Sequence, residues 1–387
     1  FHRTMAGTLQ QAASNLLAHR DIAQKVSLNY FDHHRTHAAM ASYSSPFEEA
    51  ACAIVDGAGE GRSYDFLRYH GGKINSILPP WTGMGLGWQN GSLGQFYAVL
   101  CGACGFDPVK GEEWKVMGLA PYGQFVPKLY DLLKSIICID GLKIVYDTPP
   151  RYKTWLTTLR EMRSHFKEPI EAADLAHNGQ LVFQDIMLEL LRNLHQRVPS
   201  NNLVLGGGCA LNSTCNGIIT EETPFTQVHV PSAPGDDGNA VGAALLAYHG
   251  HNAAPAPKRT YLSPYLGSQL SQESIEHFIT FSRHPKIRHL PGEVHEHAAG
   301  LLAEGKIIGW LQGRAEFGPR ALGNRSILAD PRQPDMKDKI NARVKFREEF
   351  RPFAPSILHE YGADYFENYQ ETPYMERTLR FKPAMRE

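Results

Sequence analysis

The chain has 387 residues, more than one hydrophobic core usually supports, and this length predicts two domains. Its 39 Lys and Arg residues nearly balance 40 Asp and Glu residues, so no net basic field favours a nucleic acid. No apolar run approaches the roughly 20 residues of a membrane span, and the six cysteines are scattered as in reduced intracellular proteins. We therefore expect a cytoplasmic protein with free thiols and no nucleic acid or membrane partner; a homodimer is open.

The first predicted elements are a helix and a meander of strands. Residues 29–43 carry His and Ala at helical spacing behind Asp32, which can cap the helix. A short apolar strand follows over residues 51–56, and two more strands are predicted over 61–69 and 73–78. We expect Asp56, where the first strand ends, to lie at the first turn of this meander.

Two strand–loop–helix units come after a long helix predicted over residues 172–197. The first unit has a strand over 202–205 and a glycine turn at 206–208 that leads into a short helix. The second has a strand over 227–230 and a helix over 239–248. Phosphate-binding loops use this order of strand, glycine turn and helix start, so the sequence predicts an α/β domain that can hold a nucleotide.

A segment rich in Pro and Ala, residues 251–264, interrupts this pattern. It is the predicted domain boundary. We expect one domain over residues 1–252 and a second over residues 253–387.

A candidate metal site comes from two histidines and two aspartates. His33 and His37 are four residues apart, so on a helix both imidazoles project from one face. Asp56 and Asp236 are predicted at strand ends, each followed by glycine within two residues. Two imidazoles and two carboxylates suit iron, zinc or manganese. The alternative is that the histidines are exposed or capping and that each aspartate shapes a turn.

Two segments are candidates for binding a nucleotide. Residues 206–212 offer backbone N–H groups without obstructing side chains, although a plain strand-to-helix turn would look the same. Lys115 lies alone in an apolar stretch, where a surface lysine with a buried stem is the alternative.

The densest basic signal lies over residues 313–352, among Gly, Pro and aromatic residues. Arginine forks match phosphate and carboxylate oxygens in two-point contacts, which favours a pocket for a small, multiply charged oxyanion over a solvated basic face. The basic residues are Arg314, Arg320, Arg325, Lys345, Arg347 and Arg351.

Taken together, these motifs resemble the NodU/CmcH family of O-carbamoyltransferases. The matching segments follow the order of that family and span nearly the whole chain. They are residues 33–38, 55–60, 115–120, 207–212, 313–323 and 340–358.

The resemblance implies an α/β fold with two parts. The first part is similar to the actin-like ATPase domain, a duplicated RNase H-like unit, of the tRNA threonylcarbamoyl-transfer enzyme, and the second is similar to a YrdC-like α/β domain. In such proteins the second part converts carbamoyl phosphate and ATP to carbamoyl adenylate. The carbamoyl group then passes to a hydroxyl of a small-molecule acceptor, of the natural-product type, at the metal-containing site.

The resemblance also assigns roles to individual residues. It implies that a divalent metal, with Fe²⁺ the first candidate, is bound by His33, His37, Asp56 and Asp236. It implies that cofactor binding involves Gly207, Gly208, Asn212, Lys115, Arg314 and Arg347. The carbamoyl-phosphate pocket, with the catalytic cations, is assigned to Arg320, Lys345 and Arg351.

The sequence departs from the family pattern at both ends. Family members begin with a strand and a His-Asp-Ala motif, whose His is a candidate general base, and that motif does not occur here. They also continue into an Asn-Thr-Ser-Phe-Asn segment that follows the point where this sequence stops. We therefore expect a second domain truncated at its C-terminus and a general base outside this sequence.

Two alternatives to this function are open. A tRNA threonylcarbamoyl-transfer enzyme would share the two histidines and the aspartates, but the balanced charge and the arginine-rich segment argue against it. A non-catalytic actin-like nucleotide-binding module is the other alternative, because a fold alone does not define an activity.

Overall fold

A computed structural model describes residues 29–79, 91–251, 261–282 and 286–386 of the chain. The predicted boundary at residues 251–264 therefore lies mostly outside the described residues, and so does the start of the first predicted domain. Of the helices in the described ranges, none combines the length and apolarity needed to traverse a lipid bilayer. All six cysteines are free, as expected.

The described ranges contain strands and helices in alternation. The strands are β1 (Glu49–Gly59), β2 (Arg62–His70), β3 (Lys73–Ser76), β4 (Ile137–Asp140), β5 (Lys143–Tyr146), β6 (Asn202–Gly206), β7 (Gln227–His229), β8 (Ile308–Leu311) and β9 (Arg325–Leu328). The helices are α1 (His33–Tyr43), α2 (Leu93–Ala103), α3 (Glu113–Leu119), α4 (Pro127–Lys134), α5 (Pro149–His165), α6 (Ala173–Arg197), α7 (Ser213–Asn216), α8 (Ile219–Glu222), α9 (Asn239–His251), α10 (Gln272–Ser282), α11 (Val294–Ala303), α12 (Met336–Ile340) and α13 (Gly362–Tyr365).

The central feature is a five-stranded mixed sheet with the strand order β3-β2-β1-β6-β7. β1, β2 and β3 form the antiparallel meander that the sequence predicts, whereas β6 and β7 run parallel to β1. This arrangement of three antiparallel strands followed by two parallel strands is the topology of an RNase H-like unit. The α/β fold class is confirmed.

The prediction that Asp56 lies at the first turn of the meander is wrong. β1 continues to Gly59, and its pairing with β2 shifts register between Val55 and Gly59. Such an irregularity re-aims the side chains on the bulged strand. Asp56 therefore projects from an irregular part of β1, before the chain turns at Glu60, which has a positive φ of 50°.

Parallel pairing brings two distant segments to one edge of the sheet. Ile54 of β1 lies opposite Gly206 of β6, so both strands end at the same edge. In an open α/β sheet, ligands bind at the carboxyl ends of parallel strands. Asp56 and the glycine turn at residues 206–208 are thus neighbours, although the sequence separates them widely.

Helices cover both faces of this sheet. On one face α1 packs on β1 through the small residues Ala38, Ala39 and Ala41, all fully buried. α9 lies close to α1, because a Cβ at Gly242 would stand 2.0 Å from the carbonyl oxygen of Thr36. On the other face the long α6 and α2 form the larger core. The predicted helix over 172–197 is confirmed almost in full.

The residues after 261 form a smaller α/β part. Its described strands, β8 and β9, pair in an antiparallel sheet of two. α10 and α11 bury no residue, so this part has little core of its own in the described ranges. It contacts the first part through Arg320 and Glu348.

Candidate functional site

The histidines of the candidate metal site are placed by the first helix. The carboxylate of Asp32 accepts a hydrogen bond from the backbone N–H of Arg35 at 2.9 Å, which caps α1 as predicted. The helix then puts His33 and His37 one turn apart on the same face. Their Nε2 atoms are 3.1 Å apart, so the two imidazoles point at one spot.

Asp56 lies beside both histidines. Its Oδ2 is 3.0 Å from Nε2 of His33 and 3.7 Å from Nε2 of His37. Its other oxygen, Oδ1, accepts a hydrogen bond of 2.8 Å from the backbone N–H of Gly208. The carboxylate is therefore held by the glycine turn on one side and faces the imidazoles on the other.

Asp236 completes the group, but not from the end of a strand. β7 ends at His229, and Asp236 follows later, in a 3₁₀ turn over Asp236–Gly238, so its prediction as a strand-end residue is wrong. Its Oδ1 is 3.2 Å from Nε2 of His37 and 3.5 Å from Nε2 of His33, and its side chain is 75% exposed. The loop after β7 nevertheless brings it to the histidines, because the loop crosses the same edge of the sheet.

The ligand-type atoms of His33, His37, Asp56 and Asp236 all lie within 4.8 Å of one another. These four were predicted from the sequence as one site, and the structure brings them together. His37 and Asp56 are buried, whereas Asp236 is exposed, so solvent reaches the group from the side of Asp236.

The charges of this group stabilise each other. Burial by itself lowers the pKa of His37, but hydrogen bonds with Asp236 and Asp56 outweigh it and raise this pKa to about 9. Burial likewise raises the pKa of Asp56, while hydrogen bonds from His33, His37 and Gly208 lower it well below its usual range. Without a metal, a proton on the imidazole of His37 therefore balances carboxylate charge in this group.

Three residues around this group were not predicted. Asn239, the first residue of α9, has its Nδ2 3.3 Å from Nε2 of His37, and its Oδ1 accepts from the hydroxyl of Thr36 at 2.9 Å. A Cβ at Gly59 would stand 2.2 Å from the ring of His33, so glycine is required there. Glu60 accepts from the backbone N–H of His33 at 3.4 Å. Gly59 and Glu60 lie in the family-matching segment 55–60 and Asn239 begins a predicted helix, but no role had been assigned to them.

The glycine turn approaches β1 very closely. Gly207 has a φ of 85°, and a Cβ there would stand 2.3 Å from the carbonyl oxygen of Val55. Its N–H donates to the carbonyl oxygen of Pro234 at 2.8 Å, and the N–H of Gly208 donates to Asp56. Both amides are thus engaged within the protein, so these two N–H groups are not free to donate to a phosphate, the role that the sequence predicted for them.

Asn212, predicted with this turn, is buried. Its side-chain amide exchanges two hydrogen bonds of 3.0 Å with that of Gln180. Its Oδ1 also accepts from the backbone N–H of Cys215 at 3.0 Å and caps α7. In this arrangement the Asn212 side chain fixes the base of the turn.

The predicted basic residues fall into separate places. The guanidinium of Arg320 donates to the carbonyl oxygens of Met375 and Leu211, the latter at 2.8 Å. Arg314 donates to the carbonyl oxygens of Gly267 at 3.1 Å and of Leu266 at 3.4 Å. Both arginines therefore contact backbone carbonyl groups.

Three further predicted cations contact other groups than Arg320 does. Arg351 stacks on the ring of Trp114, and Lys115 contacts two carboxylates. Arg347 donates to Oδ1 of Asn341 at 2.7 Å and lies over Phe353.

Lys345 is exposed in the π-helical turn Asn341–Lys345. The structure brings the four acidic and imidazole groups together. Arg320 and Arg351 contact different neighbours, since Arg320 donates to Leu211 and Met375 whereas Arg351 lies against Trp114 and Glu348.

The fold and the site define an α/β protein with a two-histidine, two-aspartate cluster beside a glycine turn. Residues 4–245 match the family model described as Carbamoyltransferase N-terminus, and residues 299–387 match the one described as Carbamoyltransferase C-terminus. The chain belongs to the carbamoyltransferase family, as the resemblance indicated.

Named relatives support this membership. An uncharacterized protein of Synechocystis sp. is 36% identical, with 90% of this chain and 58% of the relative covered. The nodulation protein NolNO of Sinorhizobium fredii is 34% identical, with 93% and 52% covered. The chain thus spans a little over half the length of these relatives.

Among solved structures, full-length HypF in its phosphate- and nucleotide-bound form is 15% identical with a TM-score of 0.34. The match covers 60% of this chain and 45% of that one. A likeness at this level carries no argument about function.

Proposed function

We propose that the protein is an O-carbamoyltransferase that uses carbamoyl phosphate and ATP. In this proposal carbamoyl phosphate and ATP give carbamoyl adenylate, with release of inorganic phosphate and pyrophosphate. The carbamoyl group then passes to a hydroxyl of a small, natural-product type acceptor, and AMP leaves. The observation that carries the proposal is the cluster of His33, His37, Asp56 and Asp236, which lies against the glycine turn in a chain of this family.

The four residues fit a divalent metal ion. Two imidazole nitrogens and two carboxylate oxygens suit a borderline cation such as Fe²⁺, which is our first candidate. The two Nε2 atoms lie 3.1 Å apart beside two carboxylates, so all four groups can bind one shared cation. When bound, such a metal supplies Lewis-acid stabilisation of phosphate or carbonyl oxygens.

The protein side chains hold this site in place. The N–H of Gly208 fixes one oxygen of Asp56, and the helix backbone of α1 fixes the spacing of the two histidines. Asn239 contacts His37 and thereby limits rotation of its ring. Because these groups are positioned before substrate arrives, they cost little reorganisation when negative charge develops.

The oxyanion chemistry is assigned to the arginine-rich segment. We propose that carbamoyl phosphate is bound by Arg351 and Lys345. Arg320, the third cation predicted for this pocket, donates to two backbone carbonyl oxygens. Arg351 is held at an aromatic face and Lys345 is exposed, so both can meet a small anion. ATP is proposed to bind beside the glycine turn, with Arg314 and Arg347 as further predicted cofactor-binding residues. The ammonium of Lys115, predicted with them, is already paired with two carboxylates.

The experiment is release of pyrophosphate from ATP by the purified protein, with and without carbamoyl phosphate. We expect release only when carbamoyl phosphate is present. A metal-loaded protein that binds ATP but releases no pyrophosphate would contradict the enzyme and favour a non-catalytic nucleotide-binding module. Carbamoyl transfer to a panel of hydroxylated metabolites, with tRNA as a parallel acceptor, then separates the two transferase alternatives.

A further inference from the structure

A network of alternating charges joins the two parts of the chain at α3. Lys115 of α3 is 9% exposed, and its ammonium donates to Oε1 of Glu112 at 2.7 Å and to Oε1 of Glu348 at 2.9 Å. Glu348 belongs to the second part, far along the chain. Its other oxygen, Oε2, forms an ion pair with Nε of Arg351 at 2.6 Å.

Arg351 is held on a second side by an aromatic ring. Its guanidinium carbon lies 4.2 Å from the ring centroid of Trp114, the residue before Lys115. A guanidinium over an indole face at this distance gains a cation–π attraction and is fixed in one plane. Glu348 pairs with Nε, and within the described residues the terminal nitrogens of Arg351 form no hydrogen bond or ion pair.

Apolar contacts hold the surrounding segment against α3. Phe350 is buried in the core of the first part, and its ring centroid lies 5.9 Å from that of Phe106. Pro352 comes within 3.5 Å of where a Cβ on Gly118 would lie. Arg351, between these two residues, is therefore anchored on both sides along the chain.

The charge of Glu348 is itself stabilised. Burial alone would raise the pKa of Glu348, but its own backbone N–H, Lys115 and Arg351 lower it. Glu348 therefore stays ionised and keeps both of its cationic partners. Glu349, the next residue, is exposed, and its carboxylate forms no hydrogen bond or ion pair in the described ranges. The same segment therefore supplies a matched control.

We propose that Glu348 is a positioning residue for Arg351, whose terminal nitrogens it leaves directed at a small oxyanion. Lys115 holds Glu348, and Trp114 sets the plane of the guanidinium. This inference rests on the proposed function, because it takes carbamoyl phosphate as the oxyanion. It assigns Lys115 an orienting role across the boundary between the two parts.

The test compares Glu348→Gln with Glu349→Gln and the unchanged protein. Calorimetry measures binding of carbamoyl phosphate and of inorganic phosphate, and steady-state kinetics measure KM and kcat. We expect Glu348→Gln to weaken binding and raise KM about tenfold, a typical cost of losing an orienting partner, with kcat nearly unchanged. Glu349→Gln should behave as the unchanged protein. If Glu348 had a purely structural role, its replacement would change kcat as well as KM.

Each other outcome has a definite meaning. Equal binding by the two variants would overturn the positioning role, even if the protein releases pyrophosphate. Binding that depends on Glu348 without any pyrophosphate release would overturn the proposed function and leave the positioning role standing. No binding of either anion to the unchanged protein would overturn both. If Glu348→Gln does not fold, Trp114→Leu, which keeps the ion pair, should give a smaller rise in KM.

Discussion

The cluster of His33, His37, Asp56 and Asp236 and the arginine-rich segment differ in how their polar groups are used. In the cluster, four side chains from α1, β1 and the loop after β7 direct their ligand atoms to one spot. In the arginine-rich segment, Arg314, Arg320 and Arg325 donate to backbone carbonyl oxygens. Residues far apart in the sequence thus converge in the first region, whereas in the second region most of the cations, although close in sequence, bind the backbone around them.

Whether polar residues come together depends on how regularly the backbone positions them. An i, i+4 pair on a helix and the ends of parallel strands are placed by regular geometry. Arginines spread over loops have no such constraint, and their long side chains reach whichever acceptors lie near. Arg351 and Arg347 are exceptions, because side chains hold them. Glu348 and Trp114 contact Arg351, and Asn341 and Phe353 contact Arg347.

The largest effect should follow from removing a ligand of the cluster. His37→Ala deletes a buried imidazole that contacts both aspartates. We therefore expect the metal affinity to fall at least about a hundredfold and the purified variant to contain little metal. Carbamoyl transfer should be lost, while carbamoyl-phosphate-dependent pyrophosphate release largely survives. Elemental analysis and the two half-reaction assays measure this, with the exposed His165→Ala as control. Equal loss of both half-reactions would contradict two separate sites.

A smaller effect should follow in the arginine-rich segment. Arg320→Ala leaves the carbonyl oxygens of Leu211 and Met375 without their donor, and we expect the free energy of unfolding to fall by about 2 kcal/mol. Urea unfolding measures the change, and Arg343→Ala, at an exposed position in the same segment, should change it by less than about 0.5 kcal/mol. Unchanged stability with a raised requirement for carbamoyl phosphate would instead place Arg320 in the oxyanion pocket.

The smallest change adds one methyl group beside the cluster. In Gly208→Ala the new Cβ would stand 2.9 Å from Oδ1 of Asp56, so the carboxylate must shift. We expect metal affinity to fall about tenfold. Gly57→Ala is the control, because its Cβ would meet nothing within 4 Å. Metal titrations on the two variants compare them directly; identical affinities would show that Gly208 does not position Asp56.

Much of the first region could be predicted from the sequence. The cap at Asp32, the spacing of His33 and His37, and the long helix α6 follow from local patterns. The bulge that re-aims Asp56 could not be predicted, since it depends on pairing between β1 and β2. Nor could the contact of Asn239 with His37, because those residues meet only through the packing of α9 on α1.

The contacts of the second region were harder to predict for a physical reason. Arg320 finds its acceptors at Leu211 and Met375, distant in sequence in opposite directions. Lys115 and Glu348 pair only after the two parts of the chain have come together. Composition identified these residues as a basic group, but it carries no information about which acceptors the folded chain supplies.

The central claim is that His33, His37, Asp56 and Asp236 bind one metal ion together. An anomalous difference map at the iron absorption edge, from crystals of protein reconstituted with Fe²⁺, tests it directly. We predict a single peak bonded to Nε2 of both histidines and to an oxygen of each aspartate, at about 2.0–2.2 Å as in comparable metal sites. A map without a peak between these residues at saturating metal, or with its peak elsewhere in the chain, would contradict the account.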